Sequence, residues 1–275
     1  VQIEKNHDQM MRRWDRSTSA PRYEADQNIE DNLLTGASAL VTLPSLSDYW
    51  RAYRLSSGLS YAPLIDLIES TLGEVSRQEW GLSQAYTLSR QFVWGSYIRY
   101  VAVMKLIQNL DSIRKNYIIS LQPFGDIESR WEVYPWDLDL SWGCLYNDVL
   151  GTSICDEITF DTPLTLGEIS DGAAPTYPTN GLYNTLTERS LSHELAQRVY
   201  RQKLCDLAKP LDNNPAIKRI FRYADAYAAK LSPWVAIDDS YRGGSVEVFM
   251  EAIETIKVFW ENRRQLIIGE LSCGE

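Results

Sequence analysis

Two stretches decide how this chain is read. The first is Asn109-Leu110-Asp111-Ser112-Ile113-Arg114-Lys115-Asn116-Tyr117, and the second is Tyr134-Pro135-Trp136-Asp137-Leu138-Asp139-Leu140-Ser141-Trp142-Gly143. Ahead of them, Phe92, Tyr97, Ile98, Val101, Met104 and Ile107 recur along one side of a helical spacing, and Val93, Tyr100, Val103 and Leu106 widen that stripe. The spacing predicts a helix from about Leu82 to Gln108 that is apolar nearly all round and belongs in the middle of a domain. Asp111 lies just past its end. Asn116 stands immediately before a predicted strand, Tyr117–Gln122, and a second predicted strand, Trp131–Trp136, delivers Asp137 and Asp139 at its end. Pro123, Gly125 and Asp126 supply the turn between them.

A buried helix, a loop with an Asp and then an Asn at i+5, a short hairpin and a metal-binding Asp is the order of parts in protein kinases. Phosphoryl transfer explains the requirement. A carboxylate positions the acceptor hydroxyl and takes its proton, while hard oxygen donors hold Mg²⁺ against the phosphates. The candidate catalytic residue is therefore Asp111, with Asn116, Asp137 and Asp139 as candidate metal ligands. Lys115 or Arg114 could approach a phosphate, or stand as a solvated loop cation. The same residue types also serve as caps and loop carboxylates, and D-x₄-N alone is common in chains of this size. Spacing does not separate Asp137 from Asp139 as the metal ligand, although the order of parts leans to Asp137. Trp136 and Trp142, on either side of the acidic pair, read either as a dry wall or as core packing.

Outward from this centre, residues 1–60 are polar and weakly periodic, broken by Pro21, Gly36, Pro44 and Gly58, and predict loops with short helices. Leu64, Ile65, Leu67, Ile68 and Leu72 have helical spacing. Residues 143–185 are rich in Gly, Pro, Thr and Asp and predict an irregular excursion. Three helices close the chain, at about Leu186–Ala208, Pro215–Leu231 and Ser245–Gly269. Arg263 and Arg264 fall toward the end of the last, where positive charge complements the helix dipole. The fold class is α+β, predominantly α, with a small central β-hairpin.

Composition narrows the chemistry. The 275 residues carry 27 Lys and Arg against 37 Asp and Glu, a net charge of −10. Non-specific nucleic-acid binding depends on a basic surface, so nucleic acid is excluded as a partner. No stretch approaches the ~18 uninterrupted apolar residues of a membrane span. The two histidines, His7 and His193, are far apart, which disfavours His-based zinc sites and a Ser-His-Asp triad. The four cysteines form no C-x-x-C pair. Cys144 and Cys155 read either as a local disulfide in an oxidising compartment or as two buried thiols. Carboxylates remain as the abundant chemical resource.

Tyr134-Pro135-Trp136-Asp137-Leu138-Asp139-Leu140-Ser141-Trp142-Gly143 resembles the signature of the spore-coat protein H (CotH) kinase family, a P-W-D-x-D segment followed by a small or polar residue, an aromatic and Gly. Asp111-Ser112 with Asn116-Tyr117-Ile118-Ile119 is similar to that family's Asp…Asn-Tyr segment. The helix containing Tyr200, Lys203 and Leu204 and the final Glu261–Leu266 segment are similar to its tail, so the resemblance runs from about residue 60 to 271. It implies an atypical protein-kinase-like C-lobe over 61–275, using ATP and Mg²⁺ to phosphorylate Ser or Thr of a coat or surface protein, on a spore coat, at a cell surface or after secretion. Mn²⁺ and Ca²⁺ accept the same oxygen ligands. Carried over by position, Asp111 is the catalytic Asp, Asn116 a metal or positioning ligand, and Asp137 with Asp139 the metal motif.

The chain departs from the family in lacking a G-x-G-x-x-G loop and the basic Arg-Gly-Asn-containing region that precedes the lobe. Residues 1–60 are accordingly expected to be a remnant or linker after an N-lobe lying upstream, and these 275 residues alone are expected to bind nucleotide poorly. The competing expectation is a non-catalytic surface or coat binding module on the same fold.

Overall fold

The centre of the first part of the chain is a four-stranded antiparallel sheet, in the order β2-β1-β3-β4, formed by β1 (Arg22–Ala25), β2 (Tyr53–Ser57), β3 (Tyr117–Phe124) and β4 (Glu128–Pro135). This is a computed structural model, and it describes residues 7–25, 43, 45–69, 82–109, 116–125, 128–138, 141–142, 145–147, 152–154, 185–191, 194–242 and 245–273. The predicted hairpin is present as β3 and β4, slightly longer than its apolar core because Gly125, at φ +68°, turns the chain two residues later. It is half of the sheet.

The expectation of loops and short helices over residues 1–60 is corrected by β1 and β2. β1 is only four residues long, and its Arg-Tyr-Glu-Ala sequence puts charges at alternate positions, yet all four residues are buried. The charges face partners distant in sequence: Arg22 Nη2 donates to Asp8 at 2.7 Å, and Arg54 Nε donates to Glu24 at 3.1 Å. Tyr23 and Ala25 point to the other face, where the Tyr23 ring meets Tyr61 and Trp131 at centroid distances of 5.7 and 6.1 Å.

Helix α1 (His7–Arg13) covers the first face, with Met10 and Met11 packed against Ile118, Tyr134 and Trp136. After α2 (Leu46–Ala52), capped by Ser45, and α3 (Ala62–Asp66), the predicted central helix arrives as two. α4 (Leu82–Gln91) and α5 (Trp94–Leu106) are separated where Phe92 bridges to Trp131 and Val93 N–H donates to the Trp131 carbonyl at 3.0 Å. The chain leaves the helical path there to bond its backbone to β4, and the Val93 carbonyl then accepts the first bonds of α5. Along α5, Ile98, Val101, Ala102, Met104 and Leu106 are all buried, as expected of a central helix.

Contacts divide the chain into two units. The first is Val1–Lys105, Asn109–Leu140 and Pro163–Tyr200; the second is Leu106–Gln108, Ser141–Thr162 and Arg201–Glu275. A short pair, β5 (Leu145–Asn147) and β6 (Thr152–Ile154), α6 (Thr185–Leu191), α7 (Glu194–Leu207), α8 (Pro215–Arg242) and α9 (Val246–Leu271) complete the described elements. Asn214 caps α8, accepting from Ile217 N–H and donating to the Leu207 carbonyl, with Pro215 at the first helical position. α8 continues past Leu231, through Pro233, well beyond its predicted end. It packs on α9 through Phe221 edge-on to Trp260 at 5.6 Å and an Asp225–Lys257 pair at 2.6 Å.

The dipole role expected of Arg263 and Arg264 is also corrected. α9 ends at Leu271, about two turns further on, and the dipole acts only within the last turn. Arg263 is fully buried, and Arg264 grips Glu261 through two bonds of 2.7 and 3.1 Å. A disulfide joins Cys205 to Cys273 within the second unit, a pairing the spacing of the cysteines did not single out. Cys144 and Cys155 lie outside the described residues.

Candidate functional site

The sheet register places two of the candidate site residues together. Tyr117 pairs with Pro135, so Asn116 and Trp136 come next on facing strands, and Asp137 follows directly. Asn116 N–H donates to the Ala25 carbonyl at 2.9 Å, and the Asn116 carbonyl accepts from Trp136 N–H at 3.1 Å. The Asn116 backbone thus ties the ends of β1 and β4 to β3. Both side chains are half-buried at the same end of the sheet.

Both residues also hold left-handed backbone, Asn116 at φ +57° and Asp137 at φ +51°. Asn and Asp are the non-glycine residues that visit this region most readily, although an L-residue there still costs roughly 1–2 kcal/mol. Two such residues side by side end the β-hairpin on both strands and turn the chain out of the ladder. Backbone held in this way clusters where a side chain must be aimed.

Behind them the face of β4 presents Glu132, Tyr134 and Trp136 at alternate positions, and each is anchored from the N-terminal segment. Arg16 donates two bonds to Glu132, at 2.6 and 2.9 Å, and the Tyr134 hydroxyl donates to the same carboxylate. Trp14 stacks on Tyr134 at 5.0 Å, and Trp136 packs with Met10 and Met11. Burial, and then the bond to Glu132, push the Tyr134 phenol well above its ordinary pKa, so it remains a neutral donor. Sequence reading missed Arg16, Glu132 and Tyr134. The alternation Glu132-x-Tyr134-x-Trp136 was the available signal, because three residues at period 2 share a sheet face.

Asp111, Lys115 and Asp139 lie outside the described residues. Among the described residues, no group of three or more His, Cys, Asp or Glu stands where it could hold a metal ion. Trp142 belongs to the second unit. Its ring meets Phe259 edge-on at 6.1 Å and its N–H donates to the Ile107 carbonyl at 2.6 Å, which is core packing. Trp136 packs against the Met11 cluster and immediately precedes Asp137 in the chain.

A family model described as CotH kinase protein matches residues 83–267, more than half of the chain. The chain belongs to the CotH kinase family. The CotH match includes β3, β4, both motif stretches and most of the closing helices, whereas α1, β1 and β2 fall ahead of it. In this CotH protein, therefore, two strands outside the matched segment complete the sheet that carries Asn116 and Asp137. The family's name assigns it, at that coarse level, to the kinases. No curated protein matches the chain significantly. No helix among the described residues is long and apolar enough to cross a membrane.

Proposed function

We propose that the chain carries the catalytic region of an atypical protein kinase, which transfers the γ-phosphoryl group of ATP to a Ser or Thr hydroxyl of a coat or surface protein. The observation that supports this most is the convergence of Asn116 and Asp137 at one sheet end, both in left-handed backbone and separated from Asp111 in the kinase order.

Asn116 and Asp137 offer an amide oxygen and a carboxylate, the hard donors that suit Mg²⁺, and Asp139 offers a second carboxylate two residues on. When bound, Mg²⁺ supplies charge neutralisation at the phosphate oxygens. Asp111 orients the acceptor hydroxyl and accepts its proton as the new O–P bond forms and the bond to the ADP oxygen breaks, so that ADP leaves with its electron pair. Lys115 lies next to Asn116 in the chain and supplies a cation for a phosphate. Trp136, packed on Met10 and Met11, helps keep water from the acidic end of β4.

Calorimetry with Mg²⁺-ATP and labelling from γ-labelled ATP test this. Asp111→Ala is expected to abolish labelling while keeping nucleotide binding. Asp137→Ala is expected to weaken binding in the presence of Mg²⁺. Unchanged binding and labelling in both variants would overturn the kinase reading in favour of the binding module.

A further inference from the structure

The segment joining α1 to β1 lies ahead of the matched family region, and it presents one guanidinium to β4. α1 closes with the two bonds of a Schellman turn. Asp15 N–H donates to the Arg12 carbonyl at 3.1 Å, and Arg16 N–H donates to the Met11 carbonyl at 2.9 Å. Asp15, at φ +53°, takes the left-handed position such a turn requires. The turn therefore fixes where Arg16 leaves the helix. Its Nε and Nη2 donate to the two Glu132 oxygens at 2.6 and 2.9 Å, and Nη1 donates to the Trp14 carbonyl at 3.3 Å. A bidentate fork of this kind fixes direction as well as distance.

We propose that Arg16 is a positioning residue, which through Glu132, Tyr134 and Trp136 holds Asp137 in the conformation that takes Mg²⁺. The role rests on the phosphotransfer reading and extends it to a residue outside the matched segment.

Glu132, Tyr134 and Trp136 follow one another on one face at the end of β4, and Asp137 comes next in the chain. Left-handed backbone at a non-glycine residue persists only where its surroundings over-determine it. For Asp137 those surroundings include the Trp136 N–H bond to the Asn116 carbonyl and the packing of Trp136 on Met10 and Met11. Both methionines belong to the helix whose closing turn Arg16 completes. The Tyr134 hydroxyl donates to the carboxylate that Arg16 grips, and its ring stacks on Trp14 at 5.0 Å. Loss of Arg16 leaves the Glu132 carboxylate, only 7 % exposed, without its cation, and frees the covering segment from its charged anchor on β4.

Calorimetric titration of the full chain with ATP at stepped Mg²⁺ concentrations reads the half-saturating Mg²⁺ level. Removing a group that orients a metal ligand costs about 10–100-fold in affinity, and Arg16 acts at one remove, so Arg16→Gln is expected to raise that level about tenfold. Arg16→Lys, which keeps the charge without the fork, is expected to recover part of the loss. Glu132→Gln is expected to match Arg16→Gln, and the double variant to be no worse than either, because all three break one link. Tyr23→Phe removes a hydroxyl bond to the Ser60 carbonyl on the opposite sheet face, and is expected to leave the Mg²⁺ level unchanged. A second readout needs neither metal nor nucleotide. Hydrogen exchange followed by NMR is expected to be faster at the Trp136 amide in Arg16→Gln than in the parent. The Leu55 amide, bonded to the Tyr61 hydroxyl, is expected to exchange alike in both. A parent that binds ATP equally with and without Mg²⁺ overturns the phosphotransfer reading and this role together. Mg²⁺-dependent binding in the parent, with the same Mg²⁺ requirement in Arg16→Gln, overturns the role alone. So does an equal shift in Tyr23→Phe, or Trp136 exchange at the same rate in Arg16→Gln and the parent.

Discussion

The Cys205–Cys273 disulfide offers the sharpest test of the second unit. The bond closes a loop spanning 68 positions that contains all of α8 and all of α9. The two Cα atoms are 5.3 Å apart, within the ordinary range for a disulfide. Removing the cross-link frees the unfolded chain to separate these ends, and the loop-closure relation gives about 4.4 kcal/mol for a loop of this length. Both cysteines are only half-buried, so replacing them with alanine removes little packing and isolates the cross-link. The assay is urea unfolding of Cys205→Ala/Cys273→Ala beside the parent, followed by Trp fluorescence, because Trp260 and Trp234 lie inside the loop. With a slope of about 2 kcal/mol/M, the variant's midpoint is expected to fall by about 2 M for the transition that reports these residues. A midpoint within about 0.3 M of the parent would refute the reasoning. So would alkylation and mass spectrometry finding Cys205 and Cys273 as free thiols in protein produced under oxidising conditions.

Three further outcomes follow from the first unit. Arg22 is buried, with Nε and Nη1 lacking hydrogen-bond partners and Nη2 on Asp8. Asp8 is half-exposed, so Asp8→Ala is expected to cost about 1–3 kcal/mol in urea unfolding by leaving that buried charge without its carboxylate, whereas Arg22→Met, which removes the charge itself, is expected to cost less. Asn116→Gly and Asp137→Gly relieve left-handed backbone, so each is expected to leave stability within about 1 kcal/mol of the parent. The same variants are expected to lose Mg²⁺-dependent ATP binding by calorimetry; a large fall in stability would show a structural role instead. Burial raises the phenol pKa of Tyr97 and Tyr117, and holds Tyr23 up at about 12 against an ordinary 10.0. A raised pKa in the folded state contributes stability that is complete below pH 10 and is lost as the pH climbs through the folded value. Ultraviolet titration of the 16 tyrosines is expected to show a normal group followed by a late step that coincides with unfolding. Full ionisation near pH 10 with the fold intact would contradict this.

Some of the molecule was legible because its signals are local. The β3–β4 hairpin announces itself through β-forming residues around a Gly-containing turn, and α5 through apolar positions all round. The order Asp111, Asn116, Asp137 with the P-W-D-x-D wording carried the family, since short motifs survive as sequence. β1 was not legible. Its Arg22 and Glu24 are charges that read as loop, and Asp8 and Arg54, 14 and 30 residues away, supply them with opposite charges. The break between α4 and α5 was hidden for a similar reason: the bond from Val93 to Trp131 belongs to a different part of the chain. Glu132 carries no local signal of burial, because the Arg16 that binds it lies 116 positions away.

The sequence by itself determined the hairpin, the apolar helix α5, the closing helices and the CotH family, because periodicity and motif wording act over a few residues. Only the tertiary structure decided that the hairpin is half of a four-stranded sheet. It also showed that residues 8–25 brace the sheet face behind Trp136, that Cys205 pairs with Cys273, and that Asn116 and Asp137 leave the same sheet end in left-handed backbone. Each of these rests on pairing between distant segments, where register and burial are set by partners that no local pattern names.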